Sequence, residues 1–176
     1  KDNYIPIGLR GGALDPNGIK SYARGFYGII PAGMTTWMPS GNPVRETIGR
    51  EFKEEIGDFD FKLERLIGVT ETQGRIPGRF FVTRIRTDAT LNQIRRVNSE
   101  VNNVYDELTS RGAKKEEIEE ELTSRGLPVD GWESSSISGI ANNPEHIACF
   151  REELRGACTA ATQAALDIWL SIAGKA

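Results

Sequence analysis

The stretch NPVRETIGREFKEEIGD, residues 42–58, decides how the rest of the chain reads. Asn42 suits a helix cap, and Pro43 suits the first helical position, where the N–H that proline lacks would have no partner anyway. Gly57 suits the stop, so the spacing predicts a helix from Pro43 to about Ile56. Val44, Ile48, Phe52 and Ile56 recur every four residues and define its buried stripe. At about 100° per residue, Glu51, Glu54 and Glu55 fall in one arc along the edge of that stripe. Carboxylates so close together repel one another. Either they form a solvated helix face, as most charge runs do, or a cation belongs among them.

Upstream of this helix, YIPIGLRGG (4–12) predicts a short strand and a turn, and LDPNG (14–18) is turn chemistry. GFYGIIPAGM (25–34) is an aromatic and β-branched run ended by Pro31 and Gly33, hence a strand entering a loop that continues through TTWMPSG (35–41). Downstream, 61–73 and 79–87 predict two strands joined by GRIPG. Leu91, Ile94, Val97, Val101, Val104 and Leu108 then recur at helical spacing, and a second short helix covers 114–122. The motif ELTSRG occurs at 107–112 and again within 120–126. Two copies fall short of the three a solenoid needs, and they predict two similar helix endings. PVDGWESSSISG (128–139) reads as loop with a short strand around Trp132. One long helix is expected over 144–174, burying Ile147, Phe150, Leu154, Ala157, Ala161, Leu166, Trp169 and Leu170.

The chain has 176 residues, 22 basic and 25 acidic, for a net charge of −3. That length supports one domain with a real core, and so mild a charge gives no global reason to expect nucleic acid or an anionic membrane as partner. No apolar run approaches the roughly 20 residues that span a bilayer, and the N-terminal stretch lacks a secretory pattern. Cys149 and Cys158 lie nine residues apart in one predicted helix. They read as small buried residues in a reducing compartment, so a cytoplasmic location is expected. With His146 the sole histidine, a multi-histidine metal site is excluded, and any metal must be held mainly by oxygen.

REFKEEIGD (50–58) resembles the end of the signature of the Nudix hydrolases: Arg, Glu, apolar, any, Glu, Glu, any, Gly, apolar. Arg50, Glu51, Phe52, Glu54, Glu55 and Gly57 occupy the matching places. IPAGM (30–34) and SGNP (40–43) resemble the Pro-Ala-Gly and Gly-Glu pieces of the ADP-ribose pyrophosphatase-like members. The likeness covers roughly residues 4–87. Asn42 stands where the signature has its first glutamate, Thr36 or Gly33 where it has its first glycine, and Asp58 where it has an apolar residue.

The resemblance implies an α/β fold, a Nudix-type α/β/α sandwich with a mixed sheet. The chain would form a single domain over 1–176, with 89–126 as an inserted helical hairpin and 144–174 as a long C-terminal helix. It implies a metal-binding, Mg²⁺- or Mn²⁺-dependent pyrophosphatase, a hydrolase that cuts a nucleoside diphosphate derivative such as ADP-ribose or a nucleotide sugar. Glu51, Glu54 and Glu55 would hold the metal, and Glu54 or Glu55 would orient the attacking water. Arg50, Gly33 and Gly57 would be structural in the motif. The family often adds an acid from a later loop, for which Glu119, Glu120, Glu121 and Glu133 are candidates. Family members are frequently dimers, so a homodimer is expected.

The chemistry agrees on its own terms. A pyrophosphate repels a water nucleophile, divalent cations neutralise that charge, and clustered carboxylates are the hard oxygen ligands such cations take. Arg50 precedes Glu54 by four residues and can hold it. Arg10, Arg24, Arg75 and Arg79 are candidates for gripping phosphates, and Trp37 and Tyr27 for stacking on a base. For each of these the ordinary surface or core role competes. The hairpin reads as a cover for the site, a self-association arm or a solvated arm. A Nudix-fold nucleotide-binding or regulatory module with weak catalysis is the rival reading. Nucleic acid is not expected as a partner.

Overall fold

Asn42 caps the decisive helix: its side-chain oxygen accepts the N–H groups of Val44 and Arg45, both at 3.1 Å, and Pro43 opens helix α1, Pro43–Glu51. The computed structural model describes residues 3–11, 25–35, 39–72 and 78–173. Asn42→Ala should lower stability by about 1 kcal/mol through the lost cap. The check is a urea midpoint that drops with an unchanged slope.

The α-helix does not run to Ile56. Phe52–Ile56 form a π-helical turn, in which the Gly57 N–H donates to the Phe52 carbonyl five residues back at 3.1 Å. Tertiary contacts hold this turn. The Phe52 ring stacks on Phe61 with centroids 4.4 Å apart, and the Glu54 carbonyl, free at the helix end, accepts the Asp130 N–H at 2.8 Å. Gly57, at φ 123°, then turns the chain away through a conformation that side chains disfavour. The buried stripe differs from the expected one. Phe52 and Ile56 are buried, Val44 and Ile48 only half-buried, and Thr47 and Glu51 also face inward.

The strands are β1 (Tyr4–Arg10), β2 (Tyr27–Ile29), β3 (Phe61–Thr72), β4 (Gly78–Thr87) and β5 (Ser134–Ala141). The α/β class holds. In place of one mixed sheet, the described strands form two antiparallel sheets, ordered β2-β1-β5 and β3-β4. β5 takes the second half of the loop expected over 128–139, and Trp132 lies before it rather than in a strand. Ile137 and Ile140 of β5 point inward from a serine- and glycine-rich run too weakly patterned to mark a strand.

Helices α2 (Leu91–Ser110) and α3 (Lys115–Ser124) are the expected hairpin. The repeated motif ends both alike. Arg111 pairs with Glu107 and Arg125 with Glu121, each at 2.6 Å, and Gly112 and Gly126 both have positive φ. The hairpin is not a solvated arm. Val101, Val104 and Tyr105 pack on Ile118 and Leu122, and Trp132 stacks on Tyr105 with centroids 4.9 Å apart. A second cluster joins Ile30, Phe52, Ile56, Ile94 and Ile137, and a third joins Ile7, Ile140, Ile147 and Leu166.

The expected single C-terminal helix is two: α4 (Pro144–Glu153) and α5 (Ala160–Ala173). Between them Tyr27 takes the chain as a neighbour. Its N–H donates to the Ala157 carbonyl at 2.7 Å and its carbonyl accepts the Thr159 N–H at 3.0 Å. Helical hydrogen bonding and this extended pairing exclude each other, and the free edge of β2 wins. Cys158 is accordingly buried in the break, whereas Cys149 on α4 is exposed, contrary to expectation; both are free thiols. His146 lies in the first turn of α4, where its backbone N–H donates to the capping Asn143 side chain at 2.9 Å and its ring Nδ1 meets the Asn143 amide nitrogen at 2.6 Å. Among the described residues no helix is long and apolar enough to cross a membrane.

Candidate functional site

Glu51 is the inward-facing acid, only 8% exposed. The loop after β2 closes directly over it at Gly33. A Cβ at that position would lie 1.9 Å from the Glu51 carboxylate carbon. The neighbouring Ala32 N–H donates to Glu55 at 3.1 Å. One short loop therefore touches both carboxylates, which sit at either end of the π turn and the residue before it.

The cation among the acids is Arg50. Its guanidinium bridges Glu51 and Glu54, reaching Glu54 at 2.7 Å. Holding Glu54 is the role its spacing suggested.

The second wall comes from a 3-10 turn, Gly131–Glu133, packed against the π turn. Asp130 and Glu133 bracket it, the Glu133 N–H donating to the Asp130 carbonyl at 3.0 Å. Helix α2 fixes this turn from behind. The buried Asn98 amide donates to the carbonyls of Gly131 at 2.9 Å and Ser134 at 2.8 Å, and Asn102 adds a bond to Ser134 at 3.0 Å. The hairpin thus supports the site from below.

Arg10 joins at the β1 bulge, where the register with β5 shifts between Leu9 and Arg10. Bulges commonly re-aim side chains, and here the guanidinium reaches Glu133 at 2.5 Å.

The electrostatics follow from this crowding. Burial pushes the Glu55 carboxyl up to about 8; the Ala32 N–H and Arg10 oppose the shift, and Glu133 and Glu51 add to it. Burial also raises Glu51, against the attraction of Arg50 and with the repulsion of Glu54 and Glu133. Asp130 is pushed up to about 6 by burial, with Glu133, Glu54 and Glu119 adding and Lys115 opposing. Several acids therefore resist ionisation because neighbouring acids share a poorly hydrated space.

Of the residues the sequence singled out, Glu51, Glu54, Glu55, Arg50, Gly33 and Arg10 come together, and Gly57 shapes the turn that carries them. Among the later acids Glu133 faces the cluster most directly, and Glu119 acts on Asp130. Arg79 lies elsewhere, on β4, paired across to Glu71 of β3 at 2.6 Å. Tyr27 belongs to the core, edge-on to Phe150 at 6.1 Å. Trp37, Arg24 and Arg75 lie outside the described residues. Asp130 went unseen in the sequence, where Asp-Gly reads as a turn; its only signal was the three-residue spacing to Glu133.

The donor set is all oxygen, the kind a hard divalent cation prefers, but Arg50 and Arg10 already pair with three of its carboxylates, Glu51, Glu54 and Glu133. As the side chains stand, no three acidic, thiol or imidazole groups among the described residues cage one point. Arg50 occupies part of that role. No family model matches this sequence, and neither the curated proteins nor the solved structures contain a match to it.

Proposed function

We propose that the chain is a metal-dependent hydrolase of the Nudix type that cleaves the pyrophosphate bond of a nucleoside diphosphate derivative, with ADP-ribose or a nucleotide sugar favoured. The observation that carries this reading is the pinning of Glu51 and Glu55 under the Ala32–Gly33 loop, with Glu133 near enough that its charge disfavours ionisation of both. Like charges buried together cost stability, and a bound cation is the simplest reason to keep them.

Glu51, Glu54 and Glu55 would hold Mg²⁺ or Mn²⁺, which would offset the pyrophosphate charge and lower the pKa of a bound water. Arg50 keeps Glu54 oriented. Glu54 or Glu55 accepts the proton of the attacking water as its oxygen bonds to one phosphorus. The bridging P–O bond breaks and the leaving phosphate departs with its electron pair. Arg10, paired with Glu133 beside the acids, would exchange that partner for a phosphate oxygen.

The bridging Arg50 favours a second reading, a Nudix-fold module that binds a nucleotide without cutting it. One experiment separates the two. A panel of ADP-ribose, nucleotide sugars, dinucleoside polyphosphates, NADH, nucleoside triphosphates and capped RNA is incubated with Mg²⁺ or Mn²⁺. The Glu54→Gln/Glu55→Gln variant runs in parallel. Cleavage of one compound, falling at least about 100-fold in the variant, is the expected result. Nucleotide binding with no cleavage would leave the second reading standing.

A further inference from the structure

Between Phe61 and Thr87 the chain carries six basic and two acidic residues, although acids outnumber bases overall. Within that span, Phe61–Thr72 and Gly78–Thr87 form the β3–β4 ribbon, with five of the bases and both acids, and among the described residues each strand has only the other as ladder neighbour. The register sorts its side chains. Val69 opposes Phe81 and Leu66 opposes Thr83, which places Leu66, Val69 and Phe81 on one face, with the Glu71–Arg79 ion pair beyond them on the same side. The three apolar residues are 51%, 48% and 41% exposed. The opposite face carries the pairs Arg65–Arg84 and Lys62–Arg86, with one glutamate, Glu64, shared between Arg84 at 2.8 Å and Arg86 at 3.0 Å, and further along the same face the half-exposed ring of Phe80. Helix α5 covers that face at Gly68, where a Cβ would lie 2.7 Å from Ile168.

A strand added to either edge of such a ribbon sends successive side chains to the apolar face and to the basic face in turn. We propose that the β3–β4 ribbon is a docking strip for an extended peptide segment in which apolar and acidic residues alternate. The free edge supplies main-chain hydrogen bonds, and the two faces supply the selectivity. A second copy pairing ribbon to ribbon would set arginines against arginines. Nucleic-acid bases would find a single ring on each face, Phe81 beside aliphatic Leu66 and Val69 and Phe80 on the other side, with no pair of rings to stack between. This inference does not rest on the hydrolase reading.

The test uses two end-blocked peptides of about eight residues, one strand's length. One alternates valine with glutamate, the other valine with lysine. Titrated against the whole chain, the glutamate peptide should bind at least about tenfold tighter and weaken with added salt. Amides of β3 or β4 should gain exchange protection. Val69→Thr/Phe81→Thr, both at exposed strand positions that threonine suits, should cut that affinity about tenfold. Arg65→Glu/Arg84→Glu should turn the preference towards the lysine peptide. Equal binding of both peptides, binding of neither, or binding without strand protection would overturn the proposal. So would an oligodeoxythymidylate that binds more tightly than either peptide, or ribbon-mediated dimers that exclude both.

Discussion

On the hydrolase reading proposed above, Gly33→Ala is expected to abolish divalent-cation binding and hydrolysis while costing the fold little. The added methyl would lie 1.9 Å from the Glu51 carboxylate and 2.4 Å from its Cγ, and the Gly33 backbone is not in the left-handed region. Alanine thus suits the backbone, and the conflict is wholly with one side chain. Glu51 must swing out, leaving its bond to Arg50. Moving a buried carboxylate towards water offsets part of the lost contacts, so the net stability cost should be about 1 kcal/mol. Function has no such offset, because displacing a positioned group by an ångström costs about 100-fold in rate. Urea midpoints and Mg²⁺- or Mn²⁺-induced shifts in Tm would be read together. Glu51→Ala in the Gly33→Ala background should recover the stability without recovering the metal response. A Gly33→Ala protein that keeps its full metal response would remove Glu51 from the site.

The second large effect is on pH dependence. Glu55 has a carboxyl pushed up to about 8 in the fold, from an ordinary value of 4.5. Between those values the native state holds a proton that the unfolded chain has released, so stability falls as pH rises. The contribution is whole below about pH 4.5 and gone above about 8. Asp130, raised to about 6, adds a smaller loss over a lower window. In chelator, Tm should therefore decline from pH 5 to pH 9. Glu55→Gln keeps the shape without the charge and should flatten the upper part of that decline. At pH 9 it should exceed the wild type by on the order of 3 kcal/mol. If Glu55 holds the proposed metal, Mg²⁺ or Mn²⁺ should reverse the ranking, because the metal would take the ionised carboxylate and stabilise only the wild type. A wild type whose stability is level between pH 6 and 9 in chelator would mean that Glu55 is well hydrated, and the crowded-acid account would fall.

Local chemistry determined the pieces that depend on neighbours in sequence. Asn42 and Pro43 set the start of α1, Gly57 its exit, and the spacing of Leu91, Ile94, Val101 and Val104 the face of α2. The i,i+4 pairing of Arg50 with Glu54 was equally legible, since one helical turn brings the two together. Tertiary structure decided whatever needed a distant partner. The π turn exists because Phe61 and Asp130 engage Phe52 and Glu54 from outside the helix. The C-terminal helix breaks because the edge of β2 offers Ala157 and Thr159 better hydrogen bonds than continued helix would. Ser134–Ala141 becomes a strand because β1 presents it an edge, its own residues having only weak strand preference. The approach of Gly33 to Glu51, and of Asp130 and Glu133 to both, likewise arises only in the folded chain. A sequence states which side chains can ionise, but burial fixes whether they do, and burial belongs to the assembled layers.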